Sequence, residues 1–351
     1  VLEEPNASIF MRSFDVTPEG NFEDGNSILH LPHGFEEAAR FFRLDEVEVQ
    51  AIGKRARSAL FERRRLRHAP FLDEKVITSW NGLMISAMAR AYQISGREEF
   101  LTEAKRAAEF ILARMVEEDR LLHVYKDGHA RVPGFQDDYS SFIVGLLDLF
   151  EADFDVRWLD AATRWTGYMI ERFWDEEDGG FYFSEAGQAD LIVRTKSMFD
   201  NAVPAGNSTA LFCLLRLSTL TGDRSLRDRA EQTLRAFGRL LKDSPTACPH
   251  MIGALDLLQE SPAEIVIVGE SLAKREMLAA LHQRFIPNKI IVTDDVIDSG
   301  GSRERIPPLW EKGIESDATV AAFVCRNRTC SAPVATVGEL MKLLDHQDGN
   351  P

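Results

Sequence analysis

Trp80-Asn81-Gly82-Leu83-Met84-Ile85-Ser86-Ala87-Met88-Ala89-Arg90-Ala91-Tyr92 is apolar or small nearly all round and stops near Ser95-Gly96, as a helix buried on every side should be. The next helical stretch has a different pattern. Phe100, Leu101, Ala104, Ala108, Ile111, Leu112 and Met115 recur every three or four residues, with Glu103, Lys105, Arg106 and Glu109 between them, so only one face is apolar. A buried helix followed by a half-buried one is the unit of a two-layered helical ring.

The unit recurs. A hairpin, Leu121-Leu122-His123-Val124-Tyr125 and Ala130-Arg131-Val132 around the turn Lys126-Asp127-Gly128, leads to the second pair. That pair comprises an apolar helix through Asp137-Asp138-Tyr139 to Phe150 and an amphipathic one from about Val156 to Phe173. A further hairpin is expected around Phe181-Tyr182-Phe183. The third pair starts at Pro204-Ala205-Gly206-Asn207, with proline suited to a first turn; it breaks at Thr221-Gly222-Asp223 and has its outer helix from Leu226 to Leu241. A fourth apolar helix spans about Pro249 to Leu258, and an outer-type helix spans Glu46 to Leu66. The expected fold is mainly α, an (α/α)6-type toroid of helical hairpins with β-hairpin insertions. About four of its six pairs are legible, so the ring is expected to be incomplete. The loop-rich stretch 1–45 is expected to lie extended as far as His33.

The pattern changes after Pro262. Glu264-Ile265-Val266-Ile267-Val268-Gly269, a helix from Leu272 to Phe285 and Lys289-Ile290-Ile291-Val292-Thr293 read as a βαβ unit. A loop over Asp298–Pro308, a strand over Ala318–Cys325 and a helix over Val337–Leu344 follow. The reading is therefore a toroid over 1–261 and a small α/β subdomain over 262–351.

Charge and composition exclude several functions. A formal net charge of -15, without basic stretches interleaved with aromatics, argues against nucleic acid. No apolar run approaches the roughly 18 residues of a bilayer span, and Val1-Leu2-Glu3-Glu4-Pro5 lacks a signal-peptide pattern; a cytoplasmic protein with no membrane partner is expected. Cys213, Cys248, Cys325 and Cys330 are too sparse for a disulfide scaffold, which agrees with a reducing compartment, and Cys325 with Cys330 lacks the second pair a zinc site needs. Asp175-Glu176-Glu177-Asp178-Gly179-Gly180 lacks the spacing of a calcium loop and reads as an acidic turn. Val268-Gly269 lacks the glycine pattern of a dinucleotide site. No metal and no cofactor are expected.

Several motifs carry a family resemblance: Val16-Thr17-Pro18-Glu19-Gly20-Asn21-Phe22-Glu23 with Ile28-Leu29-His30, Asp73-Glu74-Lys75-Val76-Ile77-Thr78-Ser79-Trp80-Asn81-Gly82-Leu83-Met84, Asp137-Asp138-Tyr139, Asn201-Ala202-Val203-Pro204-Ala205-Gly206-Asn207-Ser208, Glu264–Gly269, and the pair Cys325, Cys330. Over nearly the whole chain these resemble the YyaL-type family, the spermatogenesis-associated, thioredoxin-domain-containing proteins. The resemblance implies a toroid of the six-hairpin glycosidase kind, related in shape to N-acylglucosamine 2-epimerases. It also implies an N-terminal thioredoxin-like domain, whose Cys-x-x-Cys element is missing from this sequence.

In a ring of parallel inner helices, the residues that start each helix gather at one mouth. Trp80 and Asn81, Asp137, Asp138 and Tyr139, Asp200, Asn201 and Asn207, and His250 are such residues, and Lys75 precedes the first helix. Acids, amides and an aromatic ring suit a sugar, whose hydroxyls need paired acceptors and whose face stacks on a ring. The plain alternative is helix capping. The doubled acid is the sharper signal: Asp138, then Asp137, are the candidate catalytic carboxyls, with Asp73 or Asp200 as possible partners for glycoside hydrolysis. His250 is the histidine placed for epimerisation, while His30 and His33 lie in a loop. Lys75 and Lys196 are candidates for holding a carboxylate or phosphate, and Trp80 and Trp310 for stacking. The expected function is carbohydrate binding or modification, with a sugar or sugar derivative as ligand. The competing reading is a scaffold docking a thioredoxin-like domain or a missing N-terminal half.

Overall fold

The computed structural model describes residues 1–187, 191–269, 271–302, 305–309, 319–326 and 329–348; Trp310 lies outside them. The chain divides into two compact units, Val1–Asp73 and Glu74–Pro351, and the change of pattern at 262 falls inside the second. In the first, α1 (Asn6–Ser13), α2 (Gly34–Phe42) and α3 (Glu46–Arg65) pack around Ile9, Ala38, Ala39, Val49 and Ile52 and around Phe10, Phe14 and Ala56. The expected extended segment therefore begins with a helix: Ile9, Phe10 and Ser13 bury one face of α1 against its neighbours, and that packing outweighs its weak start signals.

The second unit opens with β1 (Val76–Ile77) and the inner helix α4 (Thr78–Ser95), then the outer helix α5 (Glu98–Arg114). Strands β2 (Val116–Glu117), β3 (Arg120–Lys126) and β4 (His129–Pro133) follow, with β1, β2 and β4 all antiparallel to β3. Inner helices α6 (Gln136–Asp153) and α8 (Gly206–Thr221) alternate with outer helices α7 (Val156–Phe173) and α9 (Arg224–Ala236). A short α10 (Gly238–Asp243) precedes the inner helix α11 (Pro249–Glu260). Packing runs α4 to α6 to α8 to α11, with α5, α7 and α9 each backing the inner helix before it. This is an arc of an α/α toroid.

Local chemistry accounts for the alternation. Helices α4, α8 and the link from α6 to α7 stop on left-handed residues, Gly96, Gly222 and Phe154, which open the backbone for the return helix. Helix α3 of the first unit and the outer helices α7 and α9 begin on Asp45, Asp155 and Asp223, each accepting from an N–H two residues on, the N-cap geometry. The outer helix expected over Leu226–Leu241 is broken at Phe237-Gly238 into α9 and α10. Around Phe181 there is a single bridge to Trp174 instead of a hairpin, because Asn207 and Thr195 take up the backbone bonds of that segment. Pro204 lies just ahead of α8, whose cap is Ala205.

The remaining chain adds β5 (Ala263–Gly269), α12 (Ser271–His282), β6 (Lys289–Thr293), α13 (Asp295–Asp298), β7 (Val320–Arg326), β8 (Thr329–Cys330) and α14 (Val337–Asp348). The sheet order is β6-β5-β7-β8, parallel between β5 and β6 and antiparallel elsewhere, so the expected βαβ unit is present. Its residues alternate between two cores. Val266, Val268, Ile290, Val292, Ala321 and Phe323 join the helical core, while Ile265, Ile267, Ile291, Ala322 and Val324 pack with Met277, Leu281, Leu340 and Leu344 of α12 and α14. A strand covered on both faces reads as a continuous apolar run, as these do. Cys325 and Cys330, opposed across β7 and β8, form a disulfide; the reading of the cysteines as reduced did not anticipate that a hairpin would bring these two together. Among the described residues no helix is long and apolar enough to cross a membrane.

The tightest contact lies between α4 and α6. A Cβ on Gly145 would stand 2.5 Å from the Gly82 carbonyl oxygen, and one on Gly82 would stand 2.5 Å from the Ser141 carbonyl. Both helices approach through bare backbone. Gly145→Ala should therefore cost about 1–3 kcal/mol by overpacking, whereas Gly167→Ala, at an exposed position of α7 with open space around it, should gain roughly 0.5–1 kcal/mol from helix propensity. Urea unfolding of both variants checks the contrast.

Candidate functional site

The inner helices share a spacing that organises the concave side of the arc. Residues seven apart on a helix return to almost the same face. Trp80, Ala87 and Ile94 form such a stripe on α4; Asp137, Val144 and Glu151 on α6; Thr209 and Arg216 on α8; His250 and Leu257 on α11. The later members of all four stripes line a cavity of about 1000 Å³ together with Ser86, Arg90, Asp148 and Phe212, and the segment from His282 to Lys289 closes another wall. Trp80 and Asp137 head their stripes at the helix-start end, Asp137 roughly 10 Å along the axis from Val144.

Asp138 is turned away from that stripe and is completely buried. Its Oδ1 accepts from Ser79 N at 2.9 Å; its Oδ2 accepts from Phe135 N at 2.9 Å and lies 2.8 Å from His123 Nδ1. One carboxylate thus caps the starts of two inner helices and binds β3. The hydrogen bond to Asp138 raises the His123 pKa, and the His123 ring meets Phe135 edge-on at 5.2 Å. Asp137 has the opposite character. Its Oδ1 is buried without a hydrogen-bond partner among the described residues, and burial, reinforced by the neighbouring Asp138 charge, pushes its carboxyl up to about 6.

The other helix-start residues are mostly engaged with backbone. Asp200 accepts from Ala205 N at 2.7 Å and His250 N at 2.8 Å, capping α8 and α11 together. Asn207 is buried and bonds Phe181 N, Phe181 O and Ser197 O. Asn81 donates to Ile77 O at 2.9 Å, and the exposed Asn201 to Phe199 O at 3.3 Å. The buried Tyr139 hydroxyl accepts from Leu121 N, its ring stacks on Tyr168, and burial raises its pKa. Trp80 is 62% exposed, and Lys75 is exposed ahead of α4. The His250 ring packs on Phe212 at 4.5 Å in the cavity wall, where burial keeps it neutral to lower pH than usual.

Outside the arc's concave side, Lys196 pairs with Asp175 at 2.7 Å while Asp175 Oδ1 accepts from Glu177 N, closing the acidic turn on itself. The Gly269 N–H donates to Asp294 Oδ2 at 3.1 Å, so a carboxylate occupies the turn after β5. In the first unit, His30 and His33 approach Asp15 and Glu37.

The sequence reading did not single out the cavity's charged residues. Asp148 accepts from Ser86, from Arg90 at 3.0 and 3.3 Å and from Arg216 at 2.7 Å; Glu151 accepts from Arg216 at 2.6 Å and from Ile291 N at 3.2 Å. Against the cost of burial, Arg216 and then Arg90 hold the Asp148 carboxyl below its usual range. The available signal was an Asp, a Glu and an Arg inside otherwise apolar helices, since buried charges occur in pairs.

Asp138→Ala should cost about 3 kcal/mol, because it leaves two buried N–H donors unpaired. Asp137 acts through pH. Its folded pKa lies above the unfolded value, so its contribution is fully present below about pH 4 and falls by about 3 kcal/mol as the pH rises through 6. Asp137→Asn should lack this dependence: its stability relative to wild type should improve steadily between pH 4 and 7 in denaturant titrations.

No family model matches the chain. Human spermatogenesis-associated protein 20 is 32% identical over 362 residues, covering 97% of this chain and 46% of that protein. The uncharacterized protein B0495.5 of Caenorhabditis elegans is 28% identical over 93% of this chain and 45% of its own length. The chain spans about half the length of the curated relatives it matches. Among solved structures, a GH76 α-mannanase of Bacteroides thetaiotaomicron aligns with a TM-score of 0.44 and 18% identity over 61% of this chain and 59% of that one. A cellobiose 2-epimerase of Bacillus thermoamylovorans aligns at 0.42 and 13%, over 74% and 66%. By sequence, the chain is a homologue of spermatogenesis-associated protein 20 over about half of that protein's length.

Proposed function

We propose that the Glu74–Pro351 unit binds a carbohydrate along the concave face of its inner helices and performs acid–base chemistry on it with Asp137. The observation that carries this reading is the Asp137 carboxyl itself, which heads the α6 stripe with its pKa pushed up to about 6. A carboxyl of that pKa is largely protonated below pH 6 and keeps a protonated fraction of about one-tenth at pH 7, where an ordinary aspartate keeps about a thousandth, which suits donation to a leaving oxygen. Trp80 supports the reading, because a large exposed ring at the head of the adjacent stripe offers a face for a sugar to stack on. Asp138 serves as a positioning residue: its bonds to Ser79 N and Phe135 N fix where the α6 start lies relative to α4. His250 contributes a neutral ring to the wall rather than a charge.

The test is turnover and binding against a panel of mono- and oligosaccharides and N-acetylamino sugars. Activity should fall as pH rises through about 6, with loss of the Asp137 proton. Asp137→Asn should lose about 10²- to 10⁴-fold in kcat while remaining folded. Trp80→Ala should weaken binding about tenfold and leave kcat largely intact. Wild-type turnover in Asp137→Asn, or no binding anywhere on the panel, would overturn the reading.

A further inference from the structure

The cavity carries a charge that the fold does not itself balance. Of its acids, Asp148 receives Ser86, Arg90 and Arg216, and Glu151 receives Arg216 and the Ile291 N–H. Both carboxylates are thereby taken up. The cations are not all matched. Arg216 is buried between the two acids, but Arg90 uses Nε and Nη2 on Asp148 and keeps a 62% exposed side chain at the cavity wall. Lys289, half-buried at the start of β6, donates to Ile286 O at 3.1 Å and has no carboxylate in ion-pair range among the described residues. Arg284, also in the wall, is paired with Asp345, so Arg90, Arg216 and Lys289 face two acids in a chain whose overall charge is -15.

The surroundings sharpen the imbalance. Burial lowers the Lys289 pKa, and the Arg90 and Arg216 charges lower it further against the pull of Glu151, so these three cations act on the same space. Burial and then the Lys289 charge push His282 down to about 4, which leaves its ring neutral. Phe212, the His250 ring and Leu257 belong to the apolar part of the wall. Concave, partly apolar walls with a few convergent polar groups are what small-molecule sites are made of, and guanidinium and ammonium groups recognise oxyanions.

We propose that this cavity takes an anionic sugar derivative, its phosphate or carboxylate held by Arg90 and Lys289 and its ring lying against Phe212 and His250. This rests on the carbohydrate reading above and narrows it to a charge class. The anion supplies the counter-charge that Asp148 and Glu151, both engaged with Arg216, do not.

The test is calorimetric titration of wild type and Lys289→Met with glucose, glucose 6-phosphate and glucuronate at low and high salt. At least one of the two anions should bind wild type ten-fold or more tighter than glucose, with the advantage shrinking as salt rises; whichever anion shows it identifies the group. Lys289→Met should keep its folding midpoint and lose the advantage. An Arg90→Lys variant, which keeps the charge without the fork, should retain part of it. Equal binding of glucose and both anions, or an advantage that survives in Lys289→Met, overturns the charge assignment and leaves the carbohydrate reading standing. No binding of any of the three by folded wild type overturns both.

Discussion

Helices α4 and α6 meet through backbone, and most of what the second unit does depends on that approach. Without side chains at Gly82 and Gly145 the helices close until one carbonyl faces the other's Cα, and several other groups then come within reach. Asp138 spans from its own helix to Ser79 N, Arg90 reaches across to Asp148, and Gln93 reaches Glu151 O. A wider crossing would break all three links. The same crossing sets the distance between the α4 and α6 stripes, and so the width of the cavity at that side.

The helix starts show why the architecture was more legible than the site. Periodicity is a property of consecutive residues, so α4 to α9 could be placed from apolar spacing and glycine stops. The use of a polar side chain is not. Asp138 and Asp200 sit where a sugar-binding mouth would need acids, and each bridges the N–H groups of two elements far apart in sequence. Capping across helices leaves no local signature. Asp137 and Asp138 illustrate the limit: neighbours in sequence, they point about 100° apart on the helix, and that angle separates an engaged carboxylate from one with an unpartnered buried oxygen. Lys289 and Arg90 were invisible for the same reason, since their meeting requires the sheet to be seated on the helices.

Arg216 gives the arc a register. Its two acids, Asp148 and Glu151, stand three residues apart on α6, so a slide of α8 by one residue, roughly 1.5 Å, would pull the guanidinium off one of them. A buried cation stripped of a partner costs several kcal/mol. The interaction therefore acts less as glue than as a gauge, fixing the axial position of one inner helix against the next.

The sheet of β5 to β8 belongs to two cores at once, with alternate residues of β5, β6 and β7 contributed to the helical layer and to the layer of α12 and α14. Ile290 and Ile291, adjacent in sequence, sit in different cores while Ile291 N is tied to Glu151 of α6. Such a shared wall leaves no plane along which Glu74–Pro351 could come apart with both halves dry. Loss of either layer would wet one side of the same strands, so the two layers should melt as a single cooperative body, and a cut near residue 262 would yield two pieces that each lack half of their interior.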